Sequence, residues 1–302
     1  MGDYFSTVFT KEPDTNVPSL PNQTNKNCPN IVITMGSVMK DLKSLKPNKS
    51  PGLDGIHPKF FKELSKELTV PISIIFNKSI HERKVPKEWK EARISAIFKK
   101  GNKALASNYR PVSLTSIVGK TMERLIRDHI VNHFIENKLF TNKQYGFISG
   151  RSTSLQLIRV LDQWTEAIDR GEGVDCIYMD YQKAFDTVPH KRLIQKLKAY
   201  NLSPEIVEWT QDYLNNRKQH VQINHYKSEL KEVTSGIPQG SVIGPVLFVI
   251  FINDLPDLVS SNVYLFADDT KIFRIINNDN DRFQLQQDID KLAEWSNTWS
   301  LK

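Results

Sequence analysis

Apolar residues recur along this chain at two spacings, and the change from one to the other divides it into helical and extended stretches. Over 31–45, Val38, Leu42 and Leu45 fall at helical spacing, and the helix gives way at Pro47. Helical patterns also cover 58–68, 71–83, 116–138 and 154–168. In the third of these, Ile117, Met122, Leu125, Ile126, Ile130 and Phe134 show a long helical period. Residues 93–98 alternate as a strand, Lys99 to Lys103 form a basic turn, and 109–114 read as the returning arm of a hairpin. Beyond residue 170 the period shortens. A strand is predicted over 174–179, running into Asp180. Helices follow over 190–200 and 204–215, then short strands over 220–224 and 229–234. A strand pair is predicted across 263–273, interrupted by Ala267-Asp268-Asp269, and a helix over 283–295. The pattern predicts an α+β protein with a helical, basic front half and a back half of antiparallel strands. Helices over 189–200 and 242–251 are expected to cover one sheet face.

Composition narrows the class. The chain has 302 residues, and 41 Lys+Arg against 34 Asp+Glu leave a net charge of +7, which permits an anionic partner. Length suggests roughly two lobes at about 150 residues each. Two cysteines rule out a disulfide scaffold and point to a reducing compartment, and no Cys/His cluster has zinc-site spacing. The apolar run 242–252 contains Gly244 and Pro245 and falls well short of the roughly 20 residues a membrane span requires, so no membrane association is expected. No signal-peptide pattern opens the chain. Residues 11–30, rich in Pro, Asn and Thr, read as a linker or loose arm.

Candidate chemistry lies in carboxylates attached to apolar strands. Asp180 closes one strand, and Asp268-Asp269 sit between two others. An Asp pair of this kind also suits a plain hairpin turn. If the strands are neighbours in one sheet, however, the carboxylates converge, and clustered like charges call for bound cations. Hard oxygen ligands select Mg²⁺. Two such ions form the clamp of in-line phosphoryl chemistry, which points to phosphoryl or nucleotidyl transfer.

Further segments carry a resemblance. Asp180-Tyr-Gln-Lys-Ala-Phe-Asp-Thr-Val-Pro-His190, the stretch from Ser235-Gly-Ile-Pro-Gln-Gly-Ser241 to Asn253-Asp-Leu-Pro256, and Phe266-Ala-Asp-Asp269 resemble the three palm motifs of the reverse transcriptase domain of non-LTR (LINE-type) retrotransposons, jockey-like and CR1-like groups. Ser50 to Gly55, Asn108 to Leu114, and Gln144-Tyr-Gly-Phe147 with Gly150 to Thr153 resemble its N-terminal and fingers motifs. The match covers about residues 35–302.

The resemblance implies a right-hand polymerase fold: a linker over 1–34, helical and β fingers over 35–170, and an antiparallel-sheet palm over 171–302. Family members continue beyond Trp299-Ser-Leu-Lys302 into the thumb, so the thumb is expected to be largely missing. The implied activity is RNA-directed DNA polymerisation with two Mg²⁺ ions (Mn²⁺ being the alternative), an RNA template, a DNA primer and dNTPs. The implied setting is nuclear, after a cytoplasmic ribonucleoprotein stage. Asp180 and Asp268 would hold the metals, and Asp269 would complete the acidic set. Phe185 would bar a 2′-hydroxyl, although alone it would suit core packing. Gln239 and Gly240 would border nucleotide and template, and also suit a turn opening a helix. Lys99 and Arg110 would meet triphosphate and base, while Lys99 equally suits a solvated turn. Arg151 would touch template backbone or solvent. Asp186 would make local hydrogen bonds. A catalytically silent nucleic-acid-binding piece and a group II intron-type reverse transcriptase are the alternatives.

Overall fold

The computed structural model describes residues 1–12 and 17–302; the part of the expected arm at 13–16 lies outside the described residues. The front half runs α1 (Gly2–Thr7), α2 (Met35–Ser44), α3 (Pro58–Glu63), α4 (Ser65–Glu82), β1 (Glu91–Phe98), β2 (Tyr109–Leu114), α5 (Ile117–Glu136) and α6 (Thr153–Asp169). The back half continues with β3 (Gly173–Met179), α7 (Ala184–Thr187), α8 (His190–Ala199), α9 (Pro204–Leu214), β4 (Arg217–Ile223), β5 (Tyr226–Lys227) and β6 (Lys231–Val233). It ends with α10 (Gly244–Ile252), β7 (Asn262–Phe266), β8 (Asp269–Ile276) and α11 (Asp279–Trp299). Every element read from the hydrophobic pattern is present, and the chain mixes helix and sheet as expected.

The described strands form two sheets. In the smaller, the order is β3-β8-β7, antiparallel throughout. Its two faces are covered differently. Val263, Leu265 and Ile272 join the main core with α10, a helix apolar on all sides and therefore buried on all sides. Tyr264 and Phe273 face the other way, where Val160 and Trp164 of α6 pack on them. The expected cover from α8 is indirect, because α8 packs against α10 and α9.

The larger sheet departs from the expected arrangement. β1 and β2 form the predicted hairpin, but β1 also pairs in parallel with β4, Glu91 opposite Lys218 and Ile94 opposite Val221. The back-half strands are thus not all antiparallel to their neighbours, and one sheet joins the two halves. The pattern shows each strand's period but carries no information on a partner over a hundred residues away.

The segment before residue 35, read as a linker, makes ordered contacts where it is described. Phe5 of α1 is buried against Ala92, Ile94 and Val221, an interaction worth about 2 kcal/mol by area. Cys28 and Ile33 enter the main core, and the Cys28 N–H donates to the Asn201 carbonyl (2.9 Å).

Candidate active site

The acidic residues gather because of strand register. Met179 pairs with Thr270 across β3 and β8, so the next residues along, Asp180 and Asp269, are neighbours at one sheet end. Phe266 pairs with Asp269 on the other side, leaving Ala267 and Asp268 as a two-residue hairpin turn. Ala267 has φ +55°, the sign required at the first central position of tight hairpin turns that match strand twist.

All three carboxylates line one cleft of about 760 Å³. Burial pushes the Asp268 carboxyl above its ordinary pKa. The charges on Asp269 and Asp180 push it further, against the pull of Arg110. Among the described residues, no three His, Cys, Asp or Glu side chains are grouped so that they could by themselves hold a metal ion. The donor set at the sheet end is nonetheless all oxygen. An ion completed by substrate phosphates and water needs only one or two carboxylates, which suits a hard cation.

The β1–β2 hairpin and the loop 235–241 line the same cleft. Period-two alternation puts Lys99 and Arg110 on one face, since Ile97 lies opposite Arg110 in the register. Both line the cleft and are exposed. The loop 235–241 is tied at both sides: the Ile237 N–H donates to the Phe185 carbonyl (2.7 Å), and the Ser113 N–H donates to the Gln239 carbonyl (2.7 Å). Gly240 is required there. Its φ is +102°, and a Cβ would stand 2.9 Å from the Ser113 carbonyl oxygen.

Phe185 lines the same cleft, stacked on Phe248 (centroids 4.5 Å apart) and edge-on to Phe147 (6.0 Å). Packing and cleft lining therefore hold at once. Beside it, Asp186 accepts the Gln239 Nε2 on both oxygens (2.9 and 3.0 Å), so it fixes a cleft-lining side chain as well as making local bonds. Burial raises its pKa to about 6.

Arg151 is placed otherwise. It is not among the residues lining the cleft, and its guanidinium donates to the carbonyls of Thr141 (2.5 Å) and Gln144 (2.6 Å). Sequence reasoning overlooked Phe147, Lys183 and Tyr181, which also line the cleft. Each lies inside a quoted motif, which was the only signal available for them.

Among the described residues, no helix is long and apolar enough to cross a membrane. A family model described as "Reverse transcriptase (RNA-dependent DNA polymerase)" matches residues 97–302. The chain is 30% identical to the probable RNA-directed DNA polymerase from transposon BS of Drosophila melanogaster, over 99% of this chain and 34% of that protein. It is 32% identical to the RNA-directed DNA polymerase from mobile element jockey of Drosophila funebris, over 89% of this chain and 30% of that protein. The chain thus spans about a third of the length of the relatives it matches. With the family model covering more than half its residues, the chain belongs to the reverse transcriptase family, among the jockey-like non-LTR retrotransposon domains.

Proposed function

We propose that this chain is the polymerase portion of an RNA-directed DNA polymerase, adding deoxynucleoside monophosphates to a primer 3′-hydroxyl on an RNA template. The observation that carries the reading is the meeting of Asp180, Asp268 and Asp269 with Phe185, Gln239, Gly240, Lys99 and Arg110 around one cleft. In this reading 35–170 are fingers and 171–302 palm, and the cleft lies where the β1–β2 hairpin faces the end of the small sheet.

Asp180 and Asp268 would hold the metals, with Asp269 completing the negative field. When bound, two Mg²⁺ ions favour the ionised primer hydroxyl and neutralise the departing diphosphate. Lys99 takes the triphosphate as a flexible point charge, and Arg110 stacks its planar guanidinium on the base. The Phe185 ring, backed by Phe248, occupies the space a 2′-hydroxyl would need. Gln239 and Gly240 border nucleotide and template, and Gly240 lets the backbone come close. The jockey-like kinship extends the reading to a nuclear setting with a nicked chromosomal strand as primer.

Primer extension on an RNA template with dNTPs and Mg²⁺, wild type beside Asp268→Asn, tests the reading. Extension that disappears in the variant is expected. Extension that survives the substitution, or proceeds in chelator, overturns the metal-ligand assignment, and no extension by either protein overturns the reading of this chain as a working polymerase.

A further inference from the structure

The turn between β7 and β8 carries Asp268 in a backbone conformation that its own residues disfavour. Ala267 lies at φ +55°, where a Cβ crowds the following carbonyl. Such a conformation persists only where the surroundings over-determine it. Here the surroundings belong to the motif Gln144 to Phe147, which the polymerase reading otherwise leaves without a task.

Leu265 N–H donates to the Lys143 carbonyl (2.9 Å), and Tyr145 N–H donates to the Leu265 carbonyl (2.8 Å), forming a short parallel bridge on the edge of β7. From that bridge the Gln144 side chain, fully buried, reaches the turn. Its Oε1 accepts from Ala267 N (2.9 Å) and from Gly146 N (2.7 Å), and its Nε2 donates to the Ala267 carbonyl (3.3 Å). Gly146 completes the fit, since a Cβ there would stand 2.4 Å from Ala267 N. Behind this contact, Arg151 holds the Thr141 and Gln144 carbonyls, and Gln156 Nε2 donates to the Leu265 carbonyl (2.9 Å).

We propose that Gln144 is a positioning residue whose side-chain amide clamps the N–H and C=O of Ala267, fixing the turn that presents Asp268 to the cleft, with Arg151 bracing the clamp from behind. The proposal rests on the reading of Asp268 as a metal ligand. A primary amide suits the task because it carries a donor and an acceptor side by side. Removing it leaves two buried N–H groups unpaired at the strained turn.

The test is amide hydrogen exchange across 262–270 in the full chain, comparing wild type, Gln144→Met and Gln144→Met/Ala267→Gly. Mn²⁺ binding is measured in parallel by paramagnetic resonance, with Asp268→Asn as a further variant. Gln144→Met is expected to speed exchange at Ala267 and Asp268 by roughly ten- to hundredfold, while β3 and the far end of β8 keep their protection and Mn²⁺ binds more weakly. Adding Ala267→Gly restores much of the Mn²⁺ affinity, because glycine adopts positive φ without a Cβ penalty. Unchanged exchange at the turn, loosening spread over the whole sheet, or no rescue by glycine overturns the proposal. Should Gln144→Met fail to fold, Gln144→Glu keeps an acceptor and drops the Nε2 donor, and the same local loosening is expected. Mn²⁺ affinity indifferent to Asp268→Asn would sink the ligand reading alone, since the exchange result is read without metal.

Discussion

Phe185 and Asp186 are adjacent in the chain and make different demands on the cleft. Phe185 is stacked on Phe248 and presents its ring to the cleft. Trimming it should open space beneath the sugar. Phe185→Ala is expected to raise ribonucleotide incorporation relative to deoxynucleotide by roughly 10–200-fold, read from single additions of each; an unchanged ratio would remove the gate role.

Asp186 bears on stability. Its carboxyl accepts the neutral Gln239 amide, and burial, against the pull of that bond and of Lys183 and Arg110, raises its pKa to about 6 in the folded chain. Between about pH 4 and pH 6 the folded state therefore holds a proton that the unfolded state has released. Stability contributed by this group is present at low pH and declines as pH rises from about 4 to about 6. Asp186→Asn should cancel that decline and stabilise the chain near neutral pH by on the order of 2–3 kcal/mol, measured by denaturant unfolding across the window. A wild-type slope kept intact in the variant would contradict the assignment.

Among the elements, the stretch Asn253 to Pro256 shows how a motif serves the site without lining the cleft. Asn253 accepts from Thr141 N (3.0 Å) and donates to the Leu139 carbonyl (2.8 Å) and the Tyr200 hydroxyl (2.7 Å). It thereby ties the end of α10 to the segment that leads to Gln144. Asp254 pairs with Lys196 of α8, whose ammonium is wholly buried over the Trp299 ring (3.5 Å) of α11. Burial pulls the Lys196 pKa down to about 8, against the opposing charge of Asp254. Asp254→Asn strands that ammonium and is expected to cost about 3–5 kcal/mol in urea unfolding. The double change Lys196→Met/Asp254→Asn should recover most of the loss. Equal instability of the two variants would show that packing, rather than charge, holds these helices together.

The elements were legible because each declares its own period. Alternation over 93–98 and the 3.6-residue pattern over 116–138 are local properties, and the structure returns them as β1 and α5. The parallel pairing of β1 with β4 was not legible, since nothing local to Glu91 specifies Lys218. The helix containing Phe5 was missed for a related reason: six residues show too little period, and its stability comes from packing against Ala92, Ile94 and Val221.

Across the whole molecule, the cleft assembles residues from both halves of the chain. The β1–β2 hairpin supplies Lys99 and Arg110, and elements after residue 170 supply the carboxylates, Phe185 and the Gln239 loop. The candidate site could be read early where side-chain chemistry is unusual, as in acids ending apolar strands. It could not be read at Gln144 or Arg151. A buried amide and a guanidinium turned toward backbone carbonyls look in sequence like any polar residue. Arg151 reads in sequence as a contact to template backbone or solvent, because its charge is visible there and its backbone partners are not.

Single-turnover addition of one dNMP to an RNA-templated primer, titrated with Mg²⁺ for wild type, Asp180→Asn and Asp268→Asn, addresses the central claim most directly. Both variants are expected to lose the addition rate by at least roughly 10²–10³-fold and to need more Mg²⁺ for what remains. Addition at the wild-type rate with an unshifted Mg²⁺ requirement in either variant would contradict the claim that these two carboxylates hold the metals.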